Sequence, residues 1–369
     1  LPVDAIECNI LPLNDAASLQ GRWRALESRV APSFFLSWDW MGPWLSLVHS
    51  PLYVCEIREG DQDVGLAVLG AQQQRHGPLN FQTVYLNQSG NPDEDQVFIE
   101  YNDILCEESR RRDVWTAFLE CLTTFRTHLP EPLKSWALLR LAGREAHGFE
   151  HDLDCSLVTF VQDSQKAYLI DLEMARKSSD GYLGSLSANT RQQILRSRRI
   201  LAEDETLTFQ VAKTAEQVDD WLGRMTVLQS SWFDAKGQSA ALSRPFFNAF
   251  VRLLVLETLT SGSVDLVQCS AADQVVGYLL NLKAGGQVYS YQSAFVQYSD
   301  NKIKPGLVCH AMLAEHYALQ GMQFYNLLAG DSQYKKSLSN TTQSLNWTSL
   351  AVPSPRVKVL VELRRWFRR

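Results

Sequence analysis

The chain has 369 residues, 45% hydrophobic and 21% charged, an ordinary globular mixture rather than that of a disordered chain. At roughly 100–200 residues per domain, two domains are expected. Forty-one acids against 35 bases leave a net charge of −6, so no global basic field points to nucleic acid. The apolar run Val275–Leu282 is far shorter than the roughly 20 residues of a membrane span. The opening Leu1-Pro2-Val3-Asp4 lacks the basic and apolar regions of a signal peptide, so a cytoplasmic location is expected. Seven scattered cysteines without a C-x-x-C pair fit reduced thiols better than a disulfide framework or zinc ribbon.

Ala17–Val30 reads as the first helix, with Leu19, Trp23, Leu26 and Val30 at three- and four-residue steps. Aromatics crowd positions 34–45. Strand patterns follow at Leu52–Arg58 and Val64–Gln72 across the turn Glu59-Gly60-Asp61, then at Phe81–Leu86. A polar loop, Asn87–Glu94, leads to Ile99-Glu100-Tyr101-Asn102-Asp103. A helix over Ser109–Arg126 and a strand at Trp136–Leu141 complete a first lobe, expected over residues 1–160. Periodicity fades between Ala142 and Gln165.

The second lobe, expected over 161–352, opens with a strand at Tyr168–Leu172 and a helix at Asn189–Glu203 bearing Arg191, Arg196, Arg198 and Arg199. A strand at Leu207–Ala212 precedes helices at Ala215–Phe233 and Pro245–Leu259. Strands at Ser263–Ser270, Gln274–Ala284 and Val288–Val296 come next. A helix over Gly306–Gln320, a strand at Gln323–Leu328, a short helix from Ser332 and a strand at Leu345–Val352 complete the lobe. The shared element order suggests duplication. Residues 353–369 form a third segment with six bases and one acid among Val357, Val359, Leu360, Leu363, Trp366 and Phe367. Such a tail suits an anionic membrane surface, an acidic partner, or the acidic body of the chain itself.

Strand, helix, strand, short helix from Val288 to Leu338 predicts a cleft at the strand C-termini, where α/β proteins hold ligands. The helix opening at Gly306 offers free N–H groups and a positive dipole end, strengthened by Lys302 and Lys304, as an anion site suited to a pyrophosphate. Beyond the next strand stands Asn326-Leu-Leu-Ala329-Gly330-Asp331-Ser-Gln-Tyr334-Lys335. Here the sequence resembles the GNAT acyltransferase superfamily, with Tyr334 in the place of the tyrosine that protonates the departing coenzyme A thiolate. Over about 330 residues it resembles, more closely, the CelD-type GNAT family of tandem lobes related to the FemAB peptidyltransferases. The carrying residues are Trp38-Asp-Trp40, Glu100-Tyr-Asn102-Asp, Ser187-Ala-Asn-Thr-Arg191, Trp232, Phe246-Phe247, Tyr291-Gln-Ser-Ala-Phe295, Pro305-Gly306 and Gly330-Asp331-x-x-Tyr334-Lys335. Lys304 stands where that family often has serine.

The resemblance implies an α/β fold with mixed sheets and two tandem GNAT-like lobes. It also implies acyl transfer from acetyl-CoA or another acyl-CoA to an amine on a sugar, amino acid or related metabolite, in bacterial polysaccharide or envelope biosynthesis. Backbone groups of Ala294, Phe295 and Val296 are expected to bind the thioester, with Lys302, Lys304, Gly306 and Lys335 at the phosphates. Glu100 and Asp331 are candidate bases, since a carboxylate in a partly apolar cleft has a raised pKa. Asn102, Trp232, Arg191 and Arg196 are candidate acceptor contacts. The rival functions are a Fem-like ligase using aminoacyl-tRNA and a non-catalytic scaffold.

His147, His151 and Cys155 mimic ligand spacing without a fourth ligand, so no metal is expected. His310 and His316 fall on different faces of one helix. The sequence has neither G-x-S-x-G nor G-x-x-x-x-G-K-[ST], which disfavours a hydrolase and a P-loop nucleotidase.

Overall fold

The structure is a computed structural model and describes residues 6–145, 157–202 and 206–367, with side chains to 362. It divides into two compact units, Leu1–Ser164 with Leu345–Arg369, and Gln165–Ser344.

The first unit contains strands β1 (Ile6–Pro12), β2 (Leu52–Glu59), β3 (Gln62–His76), β4 (Leu79–Leu86), β5 (Leu105–Cys106) and β6 (Leu138–Glu145). Its helices are α1 (Ala16–Val30), α2 (Trp38–Leu47) and α3 (Arg111–Thr123). The sheet order is β1-β2-β3-β4-β6, continued by residues 345–351 of the chain's last strand, with β5 on β3. All neighbours are antiparallel except β4 and β6. Trp115, Phe118 and Leu122 of α3 bury against Cys55, Ile57 and Leu69 of the sheet.

Two elements escaped the sequence reading. Strand β1 is an edge strand with Ile10 alone buried, so it lacks a strong alternating signal. Helix α2 carries Gly42 and Pro43, which argue against helix. Ser37 nonetheless caps it, its Oγ accepting the Trp40 N–H at 3.3 Å. Gly42 fits because a Cβ there would stand 2.8 Å from Trp38 Nε1.

The second unit repeats the frame. Strands β7 (Val158–Asp171, from residue 165 on), β8 (Leu207–Val211), β9 (Val264–Ala271), β10 (Gln274–Ala284), β11 (Gln287–Phe295) and β12 (Phe324–Ala329) lie in the order β8-β9-β10-β11-β12-β7. Again all pairs are antiparallel except one, β11 with β12. The helices are α4 (Leu172–Lys177), α5 (Gly181–Gly184), α6 (Ala188–Ala202), α7 (Ala215–Asp234), α8 (Pro245–Glu257), α9 (Pro305–Leu319) and α10 (Gln333–Leu338). Helix α9 is apolar nearly all round and buries Val308, Ala311, Leu313, Ala314 and Tyr317, as a central helix must.

The last strand, β13 (Thr341–Ala351), was expected in the second lobe, yet Leu345–Ala351 pairs with β6 of the first unit. Helix α11 (Pro355–Phe367) belongs to that unit as well. It is no separate tail: Val357 and Leu360 are buried with Phe81, Leu138 and Ala351. Two of the apolar residues offered for a membrane are therefore packed on the first unit, while Val359 stays 50% exposed. Hydrophobic periodicity marks a buried element without naming its partner. No helix among the described residues is long and apolar enough to cross a membrane. His147, His151 and Cys155 lie outside the described residues.

Candidate active site

Strands β11 and β12 pair only at Gln287–Tyr289 with Phe324–Asn326. Beyond that, β11 follows β10 to Phe295 and β12 follows β7 to Ala329. A bulge helps them part: Leu328 takes φ 64, and Asn326 Oδ1 accepts its N–H at 2.9 Å. The result is a V whose open end lies at the strand C-termini.

Helix α9 starts beside this opening. A Cβ on Gly306 would stand 3.0 Å from the Phe295 ring, and one on Gly277 of β10 would stand 2.5 Å from it. Two glycines therefore make room for one aromatic ring. Pro305 occupies the first helical position, where its missing N–H costs nothing. The Lys304 N–H is taken by Ser197 Oγ of α6 at 2.7 Å, and the Val308 N–H by the Lys304 carbonyl. Gly306 and Leu307 keep N–H groups without an intrahelical carbonyl. Lys302 is exposed and Lys304 half-buried, and neither has a carboxylate partner among the described residues. On α6, Arg191 and Arg196 are half-buried and also lack one, and Arg196 Nε is a buried donor with no acceptor.

Of the three residues expected to bind a thioester through their backbone, two have their N–H groups turned toward β10. The Val296 N–H is bonded to the Val276 carbonyl at 3.0 Å. Strand alternation turns the Ala294 N–H to the same side and the Phe295 N–H to the other. Of the three residues, Phe295 alone aims its N–H away from β10, on the side from which β12 has diverged.

Tyr334 of α10 stacks on His310 of α9, ring centroids 5.6 Å apart and planes 16° apart, while Phe295 meets His310 edge-on at 5.8 Å. Burial pushes the Tyr334 phenol up to about 12, although 39% of the residue surface is exposed. It therefore keeps its proton at neutral pH. His310 is the residue that sequence reasoning missed. Its position four residues after Gly306, one turn on along the same helix face, was the available signal.

A buried relay fixes His310. Lys283 Nζ donates to Asp265 Oδ1 at 2.8 Å, and the Tyr317 hydroxyl donates to Asp265 Oδ2 at 2.8 Å. Asn281 Nδ2 donates to the Tyr317 oxygen at 3.1 Å. The Tyr325 hydroxyl donates to Asn281 Oδ1 at 3.4 Å and stands 3.0 Å from His310 Nδ1. The contact between the Tyr325 hydroxyl and Nδ1 is a hydrogen bond in either tautomer of the ring. Nε2 is buried with no partner among the described residues. Burial, and secondarily the charge of Lys335, pull the imidazole down to about 3, so it is neutral.

The remaining candidates fall elsewhere. Asp331 is exposed and pairs with Lys336, which holds its carboxyl below the usual range, the reverse of the raised pKa expected of a base. The Tyr168 hydroxyl also donates to it at 3.3 Å. Lys335 is not free for a phosphate: its ammonium donates to the Ala329 carbonyl at 2.6 Å and clamps the end of β12. Trp232 is 43% exposed, with Lys236 Nζ 3.8 Å above its ring. Asn102 is buried in the first unit, where it accepts from Asn87 Nδ2 at 2.8 Å and donates to the Leu86 carbonyl at 2.9 Å. It pins a loop rather than facing an acceptor. Glu100 is half-buried in that same loop. Glu100 and Asn102 belong to the first unit, whereas Tyr334, Gly306 and Phe295 belong to the second.

Residues 188–336 match the family model of the acetyltransferase (GNAT) domain. FemX is similar in structure, with a TM-score of 0.60 at 10% identity, over 93% of this chain and 98% of that one. The C-terminal domain of a putative lysylphosphatidylglycerol synthetase from Agrobacterium fabrum gives 0.57 at 13% identity, over 95% and 96%. L-PGS from Bacillus licheniformis gives 0.53 at 13%, over 94% and 96%. No curated protein matches in sequence. At these identities the structural likenesses speak for the fold. Residues 188–336, which contain the parted strands and the helix start at Gly306, are thus similar to the acetyltransferase (GNAT) domain, and the chain has a GNAT-type α/β fold.

Proposed function

We propose that the second unit transfers an acyl group from a coenzyme A thioester to an amine, as the CelD-type resemblance implies. The observation that carries this is the His310–Tyr334 stack at the open end of β11 and β12, beside the start of α9. The Gly306 and Leu307 N–H groups, with Lys302 and Lys304, suit the diphosphate, and the Phe295 N–H suits the thioester carbonyl. The amine nitrogen bonds to the carbonyl carbon, the carbon–sulfur bond breaks, and the sulfur gains charge. Tyr334, protonated and partly desolvated, donates to that sulfur, while the proton of the new ammonium leaves to solvent. His310 is a positioning residue: its neutral ring, anchored through Tyr325, holds the phenol in place.

Calorimetric titration with acetyl-CoA is expected to give saturable binding that Lys304→Glu weakens about tenfold, roughly 1.4 kcal/mol. Tyr334→Phe is expected to slow coenzyme A release with an amine acceptor at least about tenfold, leaving thioester affinity within about twofold. No heat with acetyl-CoA, or unchanged turnover, refutes the reading. The similarity to FemX and the unpaired Arg191 and Arg196 favour a second reading, a ligase fed by aminoacyl-tRNA. That reading predicts tRNA binding that falls steeply with salt and no response to acetyl-CoA.

A further inference from the structure

In the first unit, β4 and β6 are the counterpart of β11 and β12: they pair only at Thr83–Tyr85 with Leu138–Arg140. Beyond Arg140, β6 turns at Gly143, φ +58, where a Cβ would stand 3.0 Å from the Ile99 carbonyl and 3.5 Å from the Trp347 ring. The facing strand β13 breaks register at the same place, between Asn346 and Thr348. A cavity of about 250 Å³ opens here, bordered by Gln74, Tyr85, Asp95, Arg140, Gln162 and Trp347.

The protein does not satisfy this cavity's polar groups. Tyr85 is 4% exposed, yet its hydroxyl has no hydrogen-bond partner among the described residues, and neither does Arg140 Nε or Gln74 Oε1. Leaving a buried polar atom unpaired costs about 1–3 kcal/mol, so three around one cavity call for an explanation. Arg140 lies 6.0 Å from the Tyr85 ring centroid and has no carboxylate partner among the described residues. Asp95 is engaged by its own loop, accepting the Ser89 N–H at 2.8 Å, the Ser89 hydroxyl at 3.1 Å and the Gly90 N–H at 2.7 Å. Asp95 thus has its lone pairs met by neutral donors of its own loop, whereas the Arg140 guanidinium keeps an N–H without an acceptor among the described residues.

We propose that this cavity binds a small carboxylate that also carries O–H or N–H donors, of sugar-acid or amino-acid size. The carboxylate accepts from Arg140 and Tyr85, the geometry arginine recognises best. A ligand hydroxyl or amine donates to Gln74 Oε1, and Trp347 supplies an apolar wall. The volume falls below the roughly 300–1,000 Å³ of drug-sized pockets. A nucleotide thioester is not the proposed occupant: about 250 Å³ is too small for one, and Arg111, which opens α3, is paired with Asp103 and Glu108. The proposal stands on the first unit alone and does not depend on the transfer reaction.

Calorimetric titration of the full chain with D-glucuronate, L-serine and D-glucose tests it. Saturable binding of at least one carboxylate is expected, and its identity distinguishes the two sources, with no heat from glucose. Arg140→Gln should weaken that binding at least about tenfold, and Tyr85→Phe about three- to tenfold. Tyr85→Phe removes an unpaired oxygen, so its Tm should stay level or rise, which keeps the test valid should Arg140→Gln fail to fold. Absence of saturable binding by both carboxylates, equal binding of glucose, or affinities that both variants leave unchanged overturns the proposal.

Discussion

Tyr325→Phe isolates the relay that anchors the candidate active site. Tyr325 is fully buried, and its ring packs 5.7 Å from Tyr317 and 5.9 Å from His310. The substitution keeps those ring contacts and removes a single oxygen. His310 Nδ1 at 3.0 Å and Asn281 Oδ1 at 3.4 Å then lose a partner in a place water does not reach. Each loss costs about 1–3 kcal/mol, offset in part because a buried hydroxyl no longer has to be desolvated, so about 2–4 kcal/mol is expected. For a unit of this size, 1 kcal/mol moves Tm by about 2–4 °C, which gives a fall of roughly 5–15 °C by calorimetry. With Nδ1 released, the imidazole can rotate under Tyr334, and kcat should fall while acetyl-CoA affinity holds. A Tm within about 1 °C of the parent would refute the relay, because a hydroxyl bridging two buried groups cannot vanish at no cost.

Two further outcomes follow from burial. The unfolded chain protonates His310 near 6.5, whereas the folded chain resists until about 3. The stabilising difference is therefore complete above pH 6.5 and is lost as pH falls toward 3, by about 1.4 kcal/mol per pH unit. Urea midpoints at pH 7 and pH 5 should show a smaller drop for His310→Gln than for the parent, by about 2 kcal/mol, and equal drops would contradict a buried neutral imidazole. Leu360, 3% exposed, packs α11 onto Phe81 and Leu138. Leu360→Asp should cost about 2–4 kcal/mol and expose the chain beyond Pro353 to protease. Unchanged protection would mean that α11 is not docked.

The parts of the fold that follow a strong period were legible. The amphipathic spacing of Leu19, Trp23 and Leu26, and the order strand, helix, strand, short helix from Val288 to Leu338, describe elements that form for local reasons. What stayed hidden depends on partners distant in the chain. Strand β1 is an edge, and α2 hides behind Gly42 and Pro43. Leu345–Ala351 shows alternation, but alternation cannot say that its neighbour is β6. The site divides in the same way. Lys304 and Gly306 were readable because a helix start is local, and Tyr334 because a motif resembled it. His310, on α9, was not, since its role comes from Tyr325 on β12 and Asp265 on β9. Asp331 looked like a base and Lys335 like a phosphate contact by position, yet Lys336 and the Ala329 carbonyl claim them, and such claims arise only in the folded chain.

The two units solve one geometric problem with different side chains. In each, a parallel strand pair holds for three residues and then parts, because a bulge in one member, β12 or β6, bends it away. Opening a sheet exposes backbone and side-chain polar groups that must be met by something. In the second unit the gap is furnished with a helix start, lysines without a carboxylate partner among the described residues and a stacked His–Tyr pair, the set on which the proposed thioester binding rests. In the first, the helix after the gap opens with Arg111 already neutralised by Asp103 and Glu108, and the unmet groups sit instead at Tyr85, Arg140 and Gln74. An unused copy of the frame would gain stability by closing its cavity with apolar side chains, since each unmet polar atom costs about as much as a lost hydrogen bond. The first unit keeps its unmet atoms, and a ligand that meets them accounts for that cost.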